Sequence, residues 1–220
     1  KDVPVLENPA LPIGAYPKRA PACDGMVLPK QQSFADWNQS LPVGSASSRR
    51  TLQFQMQYPN CNVHPIRGNV LTRLEKLDRG EYGALILAEA GLQRLGLEHR
   101  ITRRFSPAEI VPAAGQGILA VQGRAGEYTA LLQRLNDPQA AFCAKIERAV
   151  SKALNGDCTA PIGAYADLQG EQVTLYGFYA EDGIGIKSTL TGSVTQAESL
   201  ANTLAEQLKQ QVQAKKEAML

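Results

Sequence analysis

Leu41-Pro42-Val43-Gly44-Ser45-Ala46-Ser47-Ser48-Arg49-Arg50-Thr51-Leu52-Gln53-Phe54 is the stretch that decides the fold. Leu41 to Gly44 reads as a short strand, Ser45 to Ser48 as a loop of small polar residues, and Arg49 to Tyr58 as a helix stopped by Pro59. The same strand, loop, helix order recurs downstream. Asn62 to Ile66 reads as a strand and Asn69 to Asp78 as a helix with Gly80 just beyond its end. Ala84-Leu85-Ile86-Leu87-Ala88 reads as a buried strand. Alternating β and α elements predict a largely parallel sheet.

Working outward, the chain up to about Pro17 is extended and punctuated by proline, and Ser33 to Leu41 reads as a short helix running into a turn. A loop rich in Pro, Ala and Gly spans Pro107 to Gly117. It is followed by a strand-like run, Ile118 to Val121, and a helical stretch, Glu127 to Leu135. Asp137-Pro138 then opens an amphipathic helix with Phe142, Ile146, Val150 and Leu154 at helical spacing, ending near Asn155-Gly156. Asp157-Cys158 falls in a loop. Ile162 to Ala166, Val173 to Glu181 and Ile186 to Leu190 read as strands. A terminal helix carries Ala197, Leu200, Leu204, Leu208 and Val212 on one face.

The chain of 220 residues, 44% hydrophobic and 20% charged, has the composition of a folded protein, and no apolar run approaches the length of a membrane span. A net charge of only +2 gives no bulk attraction for nucleic acid. The four cysteines form no CxxC pair and the two histidines lie far apart, so no metal site and no disulfide framework is expected, and a reducing, cytoplasmic setting fits best. Lys1-Asp2-Val3-Pro4-Val5 has neither an initiator methionine nor the layout of a signal peptide, so the chain reads as beginning in mid-sequence.

The chemistry lies in the placement of arginines. Arg49 and Arg50 open a helix directly after a serine loop, where outward-pointing backbone N–H groups and hydroxyls make an anion cradle. Arg67 and Arg73 flank the next strand-to-helix turn, and Arg94 follows the buried strand. Any one of these is as readily an ordinary surface arginine. At successive turns on one edge of a parallel sheet, however, they would gather into a field for a small molecule bearing several carboxylates.

Further landmarks are Lys1-Asp2-Val3-Pro4, Ile66-Arg67-Gly68-Asn69-Val70, Thr72-Arg73-Leu74 and Ala90-Gly91-Leu92-Gln93-Arg94-Leu95-Gly96-Leu97. Pro112-Ala113-Ala114-Gly115-Gln116-Gly117 and Gly156-Asp157-Cys158-Thr159-Ala160-Pro161-Ile162-Gly163 complete the set. With Gly44 to Arg50, and in this order, they resemble the hydroxymethylbilane synthase (porphobilinogen deaminase) family. The resemblance implies a transferase that deaminates four porphobilinogen molecules and joins them head to tail into hydroxymethylbilane, in tetrapyrrole and haem biosynthesis. It implies a dipyrromethane cofactor held by a thioether on Cys158. Asp2 becomes the catalytic carboxylate facing cationic pyrrole nitrogens. Lys1, Ser47, Arg49, Arg50, Arg67 and Gly68 become cofactor-binding residues, and Arg19, Arg73, Arg94 and Gln116 hold substrate and product chain.

The resemblance also implies the fold: α/β, with two periplasmic-binding-protein-like domains, the first incomplete here, and a small C-terminal α+β domain. Residues 1–18 and 112–135 would be the remnant of the first domain, 19–111 the second, and 136–220 the third. A companion N-terminal polypeptide is expected to complete the first domain of an otherwise monomeric protein. Two segments depart from the family pattern, Ser45-Ala46-Ser47-Ser48 and Arg19-Ala20-Pro21-Ala22-Cys23-Asp24. They keep open a non-catalytic carboxylate-binding protein, or a degenerate paralogue without turnover, as alternatives.

Overall fold

The structure, a computed structural model, describes residues 2–3, 8–154 and 161–219. Its central sheet has the strand order β4-β3-β5-β2-β6, formed by β2 (Asp24–Val27), β3 (Val43–Gly44), β4 (Val63–His64), β5 (Ala84–Ala88) and β6 (Ile101–Arg104). β3 runs parallel to β4 and β5, whereas β2 is antiparallel to both β5 and β6. The parallel expectation therefore holds for every strand except β2, which enters between β5 and β6 from the opposite direction.

Local chemistry sets the helices on this sheet. Helix α1 (Ser48–Gln57) is capped by Ser47, whose side chain accepts from the Arg50 amide, and α2 (Val70–Asp78) by Asn69, which accepts from the Thr72 amide. Just past α2, Gly80 adopts φ +80°, as a residue following a helix end often does. Strand β5 alternates between two cores. Ala84 and Ile86 join Met26, Val43, Phe54 and Phe105 on one face, and Leu85 and Leu87 join Leu74, Leu77 and Leu92 on the other. Trp37 packs edge-on to Phe54 and Tyr58, and its buried indole Nε1 has no hydrogen-bond partner among the described residues. The helix expected from Ser33 to Leu41 is only a short 3₁₀ turn, Phe34–Asp36. Helix α3 (Glu89–Gln93) follows β5 directly.

The C-terminal unit is an antiparallel meander, β8 (Ile162–Gln169), β9 (Gln172–Glu181) and β10 (Ile184–Ser193). Against it pack α5 (Pro138–Ala153), opened by the Asp137 cap with Pro138 in its first turn, and α6 (Ala197–Glu217). Ile146, Val150, Leu175, Leu204 and Leu208 form its core.

A third, smaller piece is the antiparallel pair β1 (Ile13–Ala15) and β7 (Val121–Gln122), with α4 (Thr129–Leu135) beside it. The strand expected from Ile118 starts only at Val121. Just before it, the Gln116 and Ile118 amides bond back to Ala113 and Gly115, closing a double turn at the end of the expected Pro107 to Gly117 loop. Around this piece Leu11, Leu119, Tyr128, Leu131 and Leu135 are exposed.

The segment from Ala108 to Pro112 is gripped from both sides. From α1, Arg49 and Gln53 donate to the Val111 carbonyl, Gln53 accepts from the Val111 amide, and Gln57 donates to Glu109 O at 2.7 Å. From the C-terminal unit, the Ala164 amide donates to Pro112 O at 2.8 Å, and Lys187 donates to the carbonyls of Ala108 and Glu109.

Candidate active site

Because β3 and β4 run parallel, the loops leaving them meet on one sheet edge, the usual ligand edge of such sheets. There a cavity of about 510 Å³ is lined by Ser45 to Ser48, Thr51, His64, Arg67, Gly68 and Arg73. The N-terminus of α1 opens at this loop and adds its partial positive charge. Gly68 sits at φ +115°, and a Cβ there would lie 2.9 Å from the Thr72 methyl, so the turn requires glycine. Arg73 Nε donates to the Gly68 carbonyl at 2.7 Å. Burial, and then the charge of Arg50, lower the Arg73 pKa from its ordinary value. Neither Arg67 nor Arg73 forms an ion pair among the described residues, so their charge is not balanced there.

Arg49 and Arg50 are placed differently. Both are buried against Asp24, the wholly buried first residue of β2. Arg49 Nη2 donates to Asp24 Oδ2 at 2.8 Å and Arg50 Nε to Oδ1 at 2.9 Å. Gln116 completes the cluster. Its Oε1 accepts from both Nη2 groups at 3.2 Å, and its Nε2 donates to Asp24 Oδ1 and the Ala22 carbonyl. Burial pushes the Asp24 carboxyl up, but the two guanidiniums outweigh it and hold it below the usual carboxylate range.

Arg19 is likewise engaged internally. Its guanidinium pairs both oxygens of Glu147, at 2.6 and 3.2 Å, while Nε donates to the Gln116 carbonyl and the plane lies 4.8 Å from the Tyr165 ring centre. Glu147 also accepts from the amides of Gly115 and Ala166. This ion pair thus joins the loop before β2, the turn around Gln116 and two elements of the C-terminal unit.

A second cavity, of about 220 Å³, brings Asp2 together with Tyr16, Arg94, Gly115, Gly117 and Arg148. Arg94 Nη2 donates to the Gly117 carbonyl at 3.1 Å, and Arg148 Nη1 to that of Val3 at 3.4 Å. Lys1 and Cys158 lie outside the described residues. The expected residues therefore fall into groups: Ser47, Arg67, Gly68 and Arg73 around one cavity, Arg49, Arg50 and Gln116 around Asp24, Asp2 and Arg94 around the second cavity, and Arg19 on Glu147. Sequence reasoning missed Asp24 and Glu147. Each acquires its role from partners distant along the chain, so no local pattern marks it.

The donor set suits a small polycarboxylate: open guanidiniums, hydroxyls and a helix N-terminus around a cavity with no acidic residue in its lining among the described residues. Among the described residues there is no cluster of His, Cys, Asp and Glu that could hold a metal ion, and no helix long and apolar enough to cross a membrane.

The comparisons with known proteins agree with this chemistry. The family profile described as porphobilinogen deaminase, dipyromethane cofactor binding domain, matches residues 1–131, and that of the porphobilinogen deaminase C-terminal domain matches 141–210. Porphobilinogen deaminase of Acetivibrio thermocellus is 50% identical over 206 residues, which cover 93% of this chain and 70% of the relative. The protein of the same name from Alkaliphilus oremlandii is 46% identical over 95% of this chain and 70% of its own length. That from Ruminiclostridium josui is 43% identical over 95% and 71%.

Proposed function

The chain belongs to the porphobilinogen deaminase family, and on that premise we propose how its residues join four porphobilinogen molecules head to tail into hydroxymethylbilane. It is a transferase of tetrapyrrole biosynthesis that acts on porphobilinogen with a dipyrromethane cofactor. When bound, the dipyrromethane supplies the pyrrole carbon on which the chain grows. We assign its thioether to Cys158.

The observation that carries the assignment of roles is the cavity walled by Arg67 and Arg73, whose guanidiniums have no acidic partner among the described residues. These two, with Ser47, the Gly68 turn and the α1 N-terminus, hold acetate and propionate groups through charge-assisted hydrogen bonds. Arg49 and Arg50 add positive charge from the Asp24 cluster, and Lys1 assists. Asp2 faces the ring nitrogens and stabilises the positive charge that develops as ammonia leaves. Arg94, beside Asp2, holds the product chain. Arg19 and Gln116 serve that chain by fixing the loops that border it.

We extend the reading to three domains: 1–18 with 112–135, 19–111, and 136–220. Its support is that each sheet draws its strands from one of these ranges. A companion polypeptide covers the exposed apolar residues around β1, β7 and α4, and the protein is otherwise monomeric and cytoplasmic.

Mass analysis of the Cys158 peptide tests the assignment. A dipyrromethane increment is expected, with red colour in acidic aldehyde reagent and ammonia release on adding porphobilinogen. A bare Cys158 in protein expressed with the full pathway overturns the covalent assignment and favours a carboxylate-binding protein. Loading without ammonia release identifies a degenerate paralogue.

A further inference from the structure

We propose that Asp24 is a positioning residue for ligand binding: its buried carboxylate turns Arg49 and Arg50 so that one unneutralised positive charge faces a carboxylate of the pyrrole ligand. The proposal rests on the family reading above and adds to it a residue that touches neither substrate nor cofactor.

The argument begins with charge. Asp24 has 0% exposure, Arg49 4% and Arg50 9%, so one carboxylate answers two guanidiniums in a place that water barely reaches. The cluster carries a net positive charge. A lone excess charge in such a place is costly unless an anion completes it.

Geometry then says where the anion goes. Asp24 Oδ2 is taken by Arg49, and Oδ1 by Arg50 Nε and Gln116 Nε2. Gln116 Oε1 takes Nη2 of both arginines, and its other amide hydrogen is spent on the Ala22 carbonyl. Arg49 is committed further, through Nη1, to the Val111 carbonyl. That leaves the Nη1 edge of Arg50 as a donor without a partner among the described residues, and it is not among their buried unsatisfied atoms. Arg50 does not itself line the 510 Å³ cavity, but it sits on the first turn of α1 between Ser48 and Thr51, which do, and its amide donates to the side chain of Ser47, another lining residue. Asp24 therefore fixes which edge of Arg50 is kept free beside that space.

Two readings of Asp24 predict opposite signs. If it only balances charge, Asp24→Asn leaves a more positive cluster that binds anions at least as tightly. If it positions the arginines, the same change loosens binding although the cluster has become more positive. The experiment is equilibrium dialysis of porphobilinogen against the full chain carrying Cys158→Ser, so that no pyrrole is tethered, with and without Asp24→Asn. The folded fraction is checked by circular dichroism. The expected result is a dissociation constant raised about 10- to 100-fold, the weight of one charge-assisted hydrogen bond. An unchanged or lower constant overturns the proposal.

Should Asp24→Asn fail to fold, Asp24→Glu decides. It keeps the charge but lengthens the side chain by one methylene and so displaces both guanidiniums, a change that charge balance alone would leave without effect on binding. Binding weakened by about 10-fold or more supports the proposal. Undiminished binding overturns it. Absence of binding by the parent chain overturns the functional reading itself, a result distinct from a parent that binds and variants that do not differ from it.

Discussion

Removing Arg67 and removing Arg49 are expected to leave opposite signatures. Arg49→Ala leaves Asp24 paired with Arg50 alone and takes a donor from Asp24 Oδ2 and from the Val111 carbonyl, and a buried acceptor left unsatisfied costs about 1–3 kcal/mol, to be read from urea unfolding. Arg67→Ala removes no ion pair among the described residues, so the unfolding midpoint should hold while porphobilinogen binding weakens. Asp24 also predicts a pH dependence. Its folded pKa lies below the roughly 3.9 of an unfolded aspartate, so its stabilisation is complete above that value and is lost as pH falls through the folded pKa. Acid unfolding below about pH 4 should therefore be blunted in Asp24→Asn. Burial first, then Glu147, pushes the Cys143 thiol up to about 11, against the pull of Arg19. Alkylation of Cys143 in the native protein should thus be slow near neutrality and accelerate only in strong alkali. At this scale the sequence was half legible. The gathering of the serine loop, Arg67 and Arg73 around one cavity could be read because strand, loop and helix are contiguous there. The inward commitment of Arg49, Arg50 and Arg19 could not, because it depends on Asp24, Gln116 and Glu147 arriving from far along the chain.

Elements carrying their own punctuation were the readable ones. Helices α1, α2 and α5 start at Ser47, Asn69 and Asp137, side chains that accept from the first-turn amides, and the expected starts fall within one residue of the observed ones. Strands β2 and β6 went unread for a physical reason. Asp24-Gly25-Met26-Val27 is buried on both faces, so it shows no alternation, and Ile101 to Arg104 ends in two arginines paired with Glu109 and Glu89. A strand was expected from Ile118, but pairing begins only at Val121, after two successive turns that close at Ile118. Those turns can be tested. Gly117 has φ +84°, and a Cβ there would lie 2.4 Å from the Ala20 carbonyl oxygen. Gly117→Ala should therefore destabilise by about 1–3 kcal/mol, as overpacking against backbone does. It should also weaken the Arg94 contact, because that guanidinium bonds to the Gly117 carbonyl. Thermal unfolding and porphobilinogen affinity would both register the change.

For the whole molecule, the sheet class and the C-terminal α+β unit followed from the order of elements, whereas the grip on Ala108 to Pro112 emerged only when distant elements came together. Exposure of Leu119 at 53%, Leu131 at 54% and Tyr128 at 70% beside the short β1–β7 pair predicts binding of a hydrophobic dye by the chain alone. Gel filtration with the proposed N-terminal polypeptide should give a single heterodimer that no longer binds the dye. A stable, active monomer of this chain would remove the need for a companion. The sole tryptophan of the sequence, Trp37, lies in the core of the central sheet, while the long α5 and α6 belong to the C-terminal unit. Intrinsic emission therefore reports on one half of the protein and far-ultraviolet ellipticity is weighted toward the other. Two spectrometers on a single melt would tell whether the halves let go together or in turn.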